Sequence, residues 1–390
     1  MKNLFGYFLI FISFVLILYA IFLNTNAAKK NQTFSSYTFL SSSWEKYRDE
    51  FINQDGRVVD YSQNGITTSE AQSYALLRSV FIGDKAAFDK VWSWTKNNLK
   101  RPQDNLFGWR WGKKANNSYG FANGSDMNSA TDADTDIAFA LLLASKRWKD
   151  DSYKNYANPI LQDIWKLEVT DANGKKYVTA GNWANTNPLI INLSYFSPYA
   201  YRYFAEADKQ HDWNILVSEG YELLERASSS PLDKSKSVGL PPDWIAVDTH
   251  NGTISTPTIS NFTSNYSYEA IRVPWRIGLD YYWNPSEESK KYLTKHFTFL
   301  EETYKQDGKL AGVYAHDGKV VQKDENPTLY ATALAFLGVT NPTLAKKMYQ
   351  EKIITLYSND TNSFNQKIPY YEQNWLWFGS ALYNKQLSKF

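Results

Sequence analysis

Carboxylates at three places in the chain have the residue type and setting for general acid–base chemistry. Glu70 lies in the first turn of a predicted helix, Asp132 opens a second helix, and Glu269 precedes Arg272 by three residues. A protonated carboxyl can donate a proton to a leaving group, and an ionised one can take a proton from water. Simpler roles also fit, since Glu70 could complement the helix dipole and Glu269 could pair with Arg272 on a helix surface.

The second acidic group, Asp132, Asp134 and Asp136, leads directly into an apolar helix. Alternating aspartates are typical of a calcium loop, but that loop needs Gly at its sixth position and Glu at its twelfth. The chain has Ile137 and Leu143 there, which excludes this kind of calcium site. Three crowded carboxylates exceed what one helix cap requires, so each needs a compensating partner or a function.

Aromatic residues make up 16% of the chain, an excess that needs two explanations. Most rings in the predicted helices are expected to pack in the core. Tryptophan in a loop rich in Gly and Asn is different, because its flat face and N–H group suit a sugar ring. Loop aromatics near the acidic groups therefore predict a glycan-binding cleft, with the candidates Trp109, Trp111, Trp183 and Tyr195.

The composition excludes several other classes of function. The formal net charge of +2 argues against a nucleic-acid groove, which needs a concentrated basic patch. Cysteine is absent, so disulfides and thiolate metal sites are excluded. The four histidines stand far apart and outside an H-E-x-x-H pattern, so we expect no metal and no cofactor.

The elements that must position these residues are predicted to be helices. Apolar residues recur at helical spacing, and fully apolar segments alternate with one-sided ones. Six pairs of one enclosed and one half-exposed helix would close into an (α/α)6 barrel, so the predicted fold is all-α with six inner and six outer helices. The helical segments are 42–52, 69–82, 84–98, 132–148, 152–167, 197–208, 211–227, 268–282, 286–303, 327–337, 341–354 and 371–387.

The N-terminal region predicts export. Leu4 to Leu23 carries no charge, and twenty helical residues span about 30 Å, the thickness of a bilayer core. Residues 1–28 are therefore either a membrane anchor or a cleaved signal peptide, and Lys2 favours the cytoplasmic side for the amino terminus. Residues 29–42 form a predicted tether and residues 43–390 a single domain.

The residues in order along the chain resemble glycoside hydrolase family 8. The family's signature is matched at Ala130-Thr131-Asp132-Ala133-Asp134, Ile137-Ala138, Ala140-Leu141-Leu142, Ala144 and Trp148. Five further blocks resemble the family at 69–74, 107–111, 192–198, 240–244 and 268–277. The resemblance implies an (α/α)6 barrel that hydrolyses β-1,4-linked glycans with inversion.

The same resemblance implies roles for individual residues. Glu70 would be the general acid, and Asp132 would grip the sugar at the point of cleavage, with Asp134 as its neighbour. Tyr268 and Arg272 match residues that hold the site and the attacking water.

The chain departs from the family at Glu269, where the main branch has the aspartate that acts as general base. Glutamate keeps the carboxylate but lengthens the side chain by one methylene. Glu269 is the expected base, and the change points to an unusual glycan. The alternatives are a loop aspartate, Asp243 or Asp248, or impaired hydrolysis.

Together these features predict an exported, monomeric endo-glycosidase without cofactors, acting on a cellulose-like glucan or on an exopolysaccharide that the cell itself makes. It would be secreted or would lie at the outer face of a bacterial membrane, attached through the apolar helix if that helix is uncleaved. The alternative is a glycan-binding or export-assisting module that has lost turnover.

Overall fold

The computed structural model describes residues 36–358 and 360–390. The predicted apolar segment 4–23 lies outside them, so the expectation of a signal or anchor is left open. Among the described residues, no helix is both long and apolar enough to cross a membrane.

Helices dominate the described part of the chain, and every predicted helical segment overlaps at least one of them. They are α1 (Ser36–Phe51), α2 (Ser69–Ile82), α3 (Lys85–Asn98), α4 (Thr131–Trp148), α5 (Asp151–Leu167), α6 (Pro198–Ala207), α7 (Trp213–Ser229), α8 (Val273–Trp283), α9 (Glu287–Lys295), α10 (Thr298–Asp307), α11 (Pro327–Thr340), α12 (Pro342–Met348) and α13 (Tyr370–Tyr383). The predicted segment 286–303 is two helices, α9 and α10, rather than one.

Six of these helices contact one another in a ring. α2 packs on α4, α4 on α6, α6 on α8, α8 on α11, α11 on α13, and α13 returns to α2. Each of the first five also packs against the helix that follows it in the chain, which gives the pairs α2–α3, α4–α5, α6–α7, α8–α9 and α11–α12. Five of the six predicted pairs of neighbouring helices are therefore present among the described residues.

Short antiparallel strands stand in the connections between helices, so the all-α expectation was wrong in this respect. The strands are β1 (Thr67–Thr68), β2 (Arg110–Lys113), β3 (Tyr119–Gly120), β4 (Val169–Ala172), β5 (Lys175–Val178), β6 (Leu189–Asn192), β7 (Trp244–Val247), β8 (Ile254–Ser255), β9 (Val313–Tyr314), β10 (Val320–Gln322), β11 (Tyr357–Ser358) and β12 (Ser363–Phe364). They pair as β1-β2-β3, β4-β5, β6-β7-β8, β9-β10 and β11-β12. Strands of two to four residues give too little alternation to be read from sequence.

Two sharp helix starts place acidic residues at one end of the ring. The hydroxyl of Thr68 accepts from the amide of Ala71 at 3.0 Å and so caps α2, which fixes Glu70 in the first turn. A short 3-10 turn, 270–272, precedes α8, and Pro274 stands in the first turn of that helix. Proline costs no hydrogen bond there, so it suits the start of the helix.

Aromatic side chains fill the interior of the ring. Tyr74, Trp275, Trp375 and Phe378 are buried and meet with ring centroids 5.3 to 5.7 Å apart, mostly edge to face. Such pairs add stabilisation beyond the area that they bury. The expectation that helical aromatics belong to the core is confirmed for this cluster.

Candidate active site

A pocket of about 520 Å³ opens where several ring helices begin, and it brings the three predicted carboxylates together. Glu70 and Asp132 come from the first turns of α2 and α4, and Glu269 from the residue before the 3-10 turn that leads into α8. Their placement at helix N-termini puts negative charge where helix dipoles favour it.

Arg272 links all three carboxylates. Its Nη1 atom donates to Oε2 of Glu70 at 2.9 Å and to Oδ2 of Asp132 at 3.0 Å, and its Nη2 atom donates to Oε2 of Glu269. Only 1% of the Arg272 side chain is exposed. A buried guanidinium needs such partners, and its planar fork can hold several oxygens in fixed positions. Arg272 therefore sets the relative positions of the acidic groups.

Glu70 has the environment of a carboxyl that keeps its proton. Burial raises its pKa, the nearby charge of Asp132 raises it further, and the charge of Arg272 offsets only part of this. The phenol of Tyr370 donates to Oε1 at 2.9 Å, and that of Tyr74 donates to Oε2 at 3.1 Å. A raised pKa suits a general acid, because the group must be protonated when the leaving oxygen departs.

Asp132 is almost completely buried beside Glu70, with 2% of its surface exposed. Burial raises its pKa, although the charges of Arg272 and Arg276 oppose this. Its Oδ1 atom accepts from the amide of Ala133 at 2.9 Å, so the carboxylate is held at the helix start.

Glu269 is the most exposed of the three carboxylates, with 33% of its side chain accessible. The amide of Asn192, at the end of β6, donates to its Oε2 atom at 2.8 Å. The longer side chain thus reaches two fixed donors, Asn192 and Arg272, at the pocket wall.

Asp136 pairs with a second arginine in the interior, away from the pocket. Arg276 binds it with two parallel hydrogen bonds of 2.9 Å, and both side chains are buried. Nη1 of Arg276 also donates to Ser197 at 2.6 Å and to Tyr199 at 2.7 Å. This pair lies four residues further along each segment than the Arg272–Asp132 pair.

Asp134, which the resemblance gave as a substrate-binding neighbour of Asp132, does not line the pocket. It is completely buried, and its Oδ1 atom accepts from the amide of Phe107 at 2.9 Å. Burial and the neighbouring Glu168 raise its pKa well above the usual range, and burial raises the pKa of Glu168 to about 7. Burial thus favours the protonated form of both carboxyls, and Glu168 accepts from the hydroxyl of Ser129 at 2.6 Å.

The two alternative bases have structural partners and lie outside the pocket lining. Asp243 is 4% exposed, and its Oδ1 atom accepts from the amides of Ser267 at 3.1 Å and Ala270 at 2.7 Å. Burial raises its pKa to about 6. Asp248 accepts from the amides of His250 and Asn251 in a surface turn, which lowers its pKa. Asp243 holds the Glu269 segment in place, and Asp248 shapes a turn.

Aromatic faces line one side of the pocket. Trp109, Trp183 and Tyr195 are among the lining residues, as the sequence predicted. Trp244 and Phe262 join them and stack face to face, with centroids 3.9 Å apart and planes at 6°. The pocket thus has the flat apolar surfaces that sugar rings bind.

Trp111 and Tyr268 were also predicted to bind substrate, but the structure places neither in the pocket lining. Trp111 stacks on Tyr119 at 5.3 Å, and the guanidinium of Arg57 lies 4.5 Å from its ring centroid. Tyr268 is 43% exposed, and its backbone carbonyl accepts from Tyr371. Trp111 therefore braces the β2–β3 hairpin, and Tyr268 contributes its backbone.

Several residues of the site were missed from the sequence, namely Tyr74, Asn192, Phe262 and Tyr370. Tyr74 lies one helical turn after Glu70, a spacing that could have suggested the contact. Tyr370 is 300 residues from Glu70 and carried no signal, because it reaches the site only when α13 closes the ring on α2. Within residues 36–358 and 360–390, no three acidic or histidine side chains are arranged to hold a metal ion.

Several proteins of known sequence are similar to this chain over more than half of its length. An endoglucanase of Cellulomonas uda is 32% identical over 238 residues, which is 60% of this chain and 62% of that protein. Endoglucanase C of Ruminiclostridium cellulolyticum is 31% identical over 326 residues, covering 80% of this chain and 64% of that protein. The matched region spans less than two thirds of the length of these relatives.

Solved structures share the fold. An endo-1,4-D-glucanase of Vibrio fischeri superposes with a TM-score of 0.72 at 24% identity, covering 88% of this chain and 94% of that one. A β-1,3-1,4-glucanase of a Paenibacillus species superposes with a TM-score of 0.74 at 21% identity, covering 92% and 95%. The model of glycosyl hydrolases family 8 matches residues 8–375. The ordered motifs and this match agree, and the chain belongs to glycosyl hydrolase family 8.

Proposed function

We propose that this protein is an inverting endo-glycosidase that hydrolyses β-1,4-linked polysaccharide, with Glu70 as general acid and Glu269 as general base. The observation that carries the proposal is that Glu70, Asp132 and Glu269 meet on one guanidinium at the wall of an open pocket. One carboxyl has a raised pKa and another is anchored but partly exposed, which are the two states that inverting hydrolysis needs.

The proposed reaction is a single displacement. Glu70 gives its proton to the glycosidic oxygen as the bond from that oxygen to the anomeric carbon breaks. The oxygen of a water molecule bonds to the anomeric carbon from the opposite face, and Glu269 takes the proton that this water loses. Asp132 binds the sugar at the point of cleavage, where its fixed position would favour a distorted ring.

The pocket supports an uncharged polysaccharide as substrate. Its only charged lining residues are the three carboxylates, and the rest are aromatic, small or neutral polar side chains. An anionic glycan would meet net negative charge here, because Arg272 balances only one of the three carboxylates. The relatives named endoglucanases favour a glucan, and a neutral exopolysaccharide made by the cell remains the second candidate.

A second function, glycan binding without turnover, is favoured by one observation. Glu269 stands where the main branch of the family has the aspartate that acts as base, and its additional methylene displaces the carboxylate. This reading predicts saturable polysaccharide binding without any product.

Two further parts of the proposal concern the architecture and the location. The ring α2–α4–α6–α8–α11–α13 with its outer partners supports the (α/α)6 barrel. Export, as a secreted or membrane-anchored protein, rests on the uncharged run from Leu4 to Leu23. Cell fractionation and the mass of the mature chain would distinguish a cleaved signal from an anchor, and recovery of an intact cytoplasmic protein would rule out export.

The deciding experiment is reducing-end release from β-glucan, carboxymethylcellulose, xylan, chitosan and purified bacterial exopolysaccharide. Glu70→Gln is expected to lower kcat about 100- to 10,000-fold, the usual contribution of a general acid. The exposed Glu302→Gln is the matched control and should leave kcat unchanged. Undiminished activity in Glu70→Gln would refute the mechanism, and binding without product in the wild type would favour the second function.

A further inference from the structure

Asn192 has an orientation that the fold determines. It is 1% exposed at the end of β6, and its Oδ1 atom accepts from the amide of Ser194 at 3.0 Å and from the hydroxyl of Ser194 at 2.7 Å. A backbone N–H can only donate, so the amide oxygen of Asn192 must face Ser194. The amino group is thereby directed at Glu269, whose Oε2 atom lies 2.8 Å from Nδ2.

The two carboxylate oxygens of Glu269 have different surroundings. Oε2 accepts from both Asn192 and Arg272, whereas Oε1 accepts no hydrogen bond from the described part of the chain. Glu269 lines the pocket beside Glu70 and Asp132. One oxygen is therefore anchored, and the other is available to a water molecule.

This anchoring matters more for a glutamate than for an aspartate. The additional methylene gives the side chain one more rotatable bond, and fixing it costs conformational entropy. A general base must hold its oxygen within hydrogen-bond reach of the water that it activates. Two donors on Oε2 restrict the longer side chain to one arrangement.

We propose that Asn192 is a positioning residue that, with Arg272, anchors Oε2 of Glu269 so that Oε1 takes the proton of the attacking water. The inference rests on the proposed role of Glu269 as base. Asn192 exchanges no proton in the step. The proton passes from water to Oε1 as the water oxygen bonds to the anomeric carbon and the glycosidic bond breaks.

Asn192→Asp tests the proposal, because it keeps the acceptor for Ser194 and removes the donor to Glu269. We expect kcat to fall about 10- to 100-fold, the effect of a lost hydrogen bond to a charged group, with little change in KM. The acidic limb of the kcat profile should move to higher pH, since a carboxylate that loses a donor and gains a like-charged neighbour is protonated more readily. The other charged groups at the pocket, Arg272, Glu70 and Asp132, stay unchanged.

The matched control is Asn326→Asp. Asn326 also caps a helix, accepting from the amide of Thr328 at 2.9 Å, and lies outside the pocket lining. This control should keep kcat and the pH profile of the wild type. Asn192→Ala serves as a second variant if Asn192→Asp fails to fold.

A double-mutant cycle separates positioning from general structural support. Glu269→Asp shortens the side chain and withdraws its carboxylate from Asn192, so Asn192→Asp should have a much smaller effect in that background. An equal fold-loss in both backgrounds would overturn the proposal.

The outcomes also separate this inference from the proposed function. If Glu269→Gln kept the wild-type kcat, or if the wild type cleaved nothing on the panel, both would fail. If Glu269→Gln abolished turnover while Asn192→Asp and Asn192→Ala kept the wild-type kcat and acidic limb, the positioning role alone would fail.

Discussion

The Nη1 atom of Arg272 lies 3.0 Å from Oδ2 of Asp132, and four residues further along each segment Arg276 binds Asp136 with two parallel hydrogen bonds. The two ion pairs connect the first part of α4 to the start of α8. The pair with Arg272 faces the pocket and also holds Glu70 and Glu269, whereas the pair with Arg276 is enclosed. The positive charges of the two arginines offset the negative charges of Asp132 and Asp136, which explains why both carboxylates can lie near one helix start.

The first prediction concerns Arg272, whose ion pair with Asp132 faces the pocket. Arg272→Lys is expected to lower kcat at least about 100-fold, because one ammonium cannot replace two guanidinium nitrogens that hold three oxygens. Arg276→Lys should lower the free energy of unfolding while retaining a larger share of kcat, since the Arg276–Asp136 pair is not at the pocket. Steady-state kinetics and urea unfolding of both variants provide the measurement. Equal kinetic effects in the two variants would contradict the separate roles of Arg272 at the pocket and Arg276 in the interior.

The second prediction uses the hydrogen bond from Tyr370 to Glu70. This donor stabilises the ionised carboxylate and so lowers the pKa that burial raises. In Tyr370→Phe the pKa of Glu70 should rise, and the alkaline limb of kcat/KM should move to higher pH, because the acid must be protonated to act.

The neighbouring Tyr371→Phe is the control for that shift, since Tyr371 donates to the carbonyl of Tyr268 and not to Glu70. A pH–rate profile from pH 4 to about 10, the range over which these groups titrate, measures both variants. An alkaline limb of Tyr370→Phe that coincides with the wild type would contradict the assignment of Glu70 as the acid.

The third prediction separates Glu269 from the loop aspartates. Asp243→Asn should lower the free energy of unfolding by about 0.5–2 kcal/mol, the range for a weakened helix cap, yet keep most of kcat. Asp248→Asn should keep the kcat of the wild type, because Asp248 stabilises a surface turn. Loss of turnover in either variant, with the acidic limb absent, would assign the base to that aspartate instead.

The fourth prediction concerns the buried pair Asp134–Glu168. Both pKa values are raised in the folded protein, so the folded state binds more protons than the unfolded state above the ordinary pKa of Glu168. The stability that the pair contributes is therefore complete below about pH 4 and is lost as the pH rises through about 7.

Thermal unfolding at several pH values tests whether the stability falls as the pH rises. The loss of stability between pH 4.5 and about 7.5 should be smaller in Glu168→Gln, by an amount on the order of 2 kcal/mol, because Gln does not titrate. Identical pH dependence in the wild type and the variant would show that the pKa of Glu168 is not raised in the folded protein.

The sequence could predict the helices and the three carboxylates because both rest on local patterns. The apolar periodicity of segments such as 132–148 is long enough to specify a helix, and the motifs around Glu70 and Asp132 are contiguous. The split of 286–303 into α9 and α10 was not visible, because the apolar pattern continues across it.

Contacts between distant elements could not be predicted. The loop around Trp111 predicts that its ring binds sugar. Only the fold shows that Tyr119 and Arg57 pack against that ring. Asp134 shares a motif with Asp132 but is buried, and the neighbouring carboxyl that adds to the effect of burial on its pKa, Glu168, comes from the end of the next helix. Such pairings depend on which faces of two helices meet, which one sequence does not specify.

The stereochemistry of hydrolysis tests the central claim most directly. Proton NMR during the first minutes of cleavage of a soluble β-1,4-glucan records which anomer of the new reducing end forms first. Inversion, with Glu70 as acid and Glu269 activating water, predicts that the α-anomer forms first and then equilibrates by mutarotation. The β-anomer as first product would mean retention and a covalent intermediate, and would contradict the account.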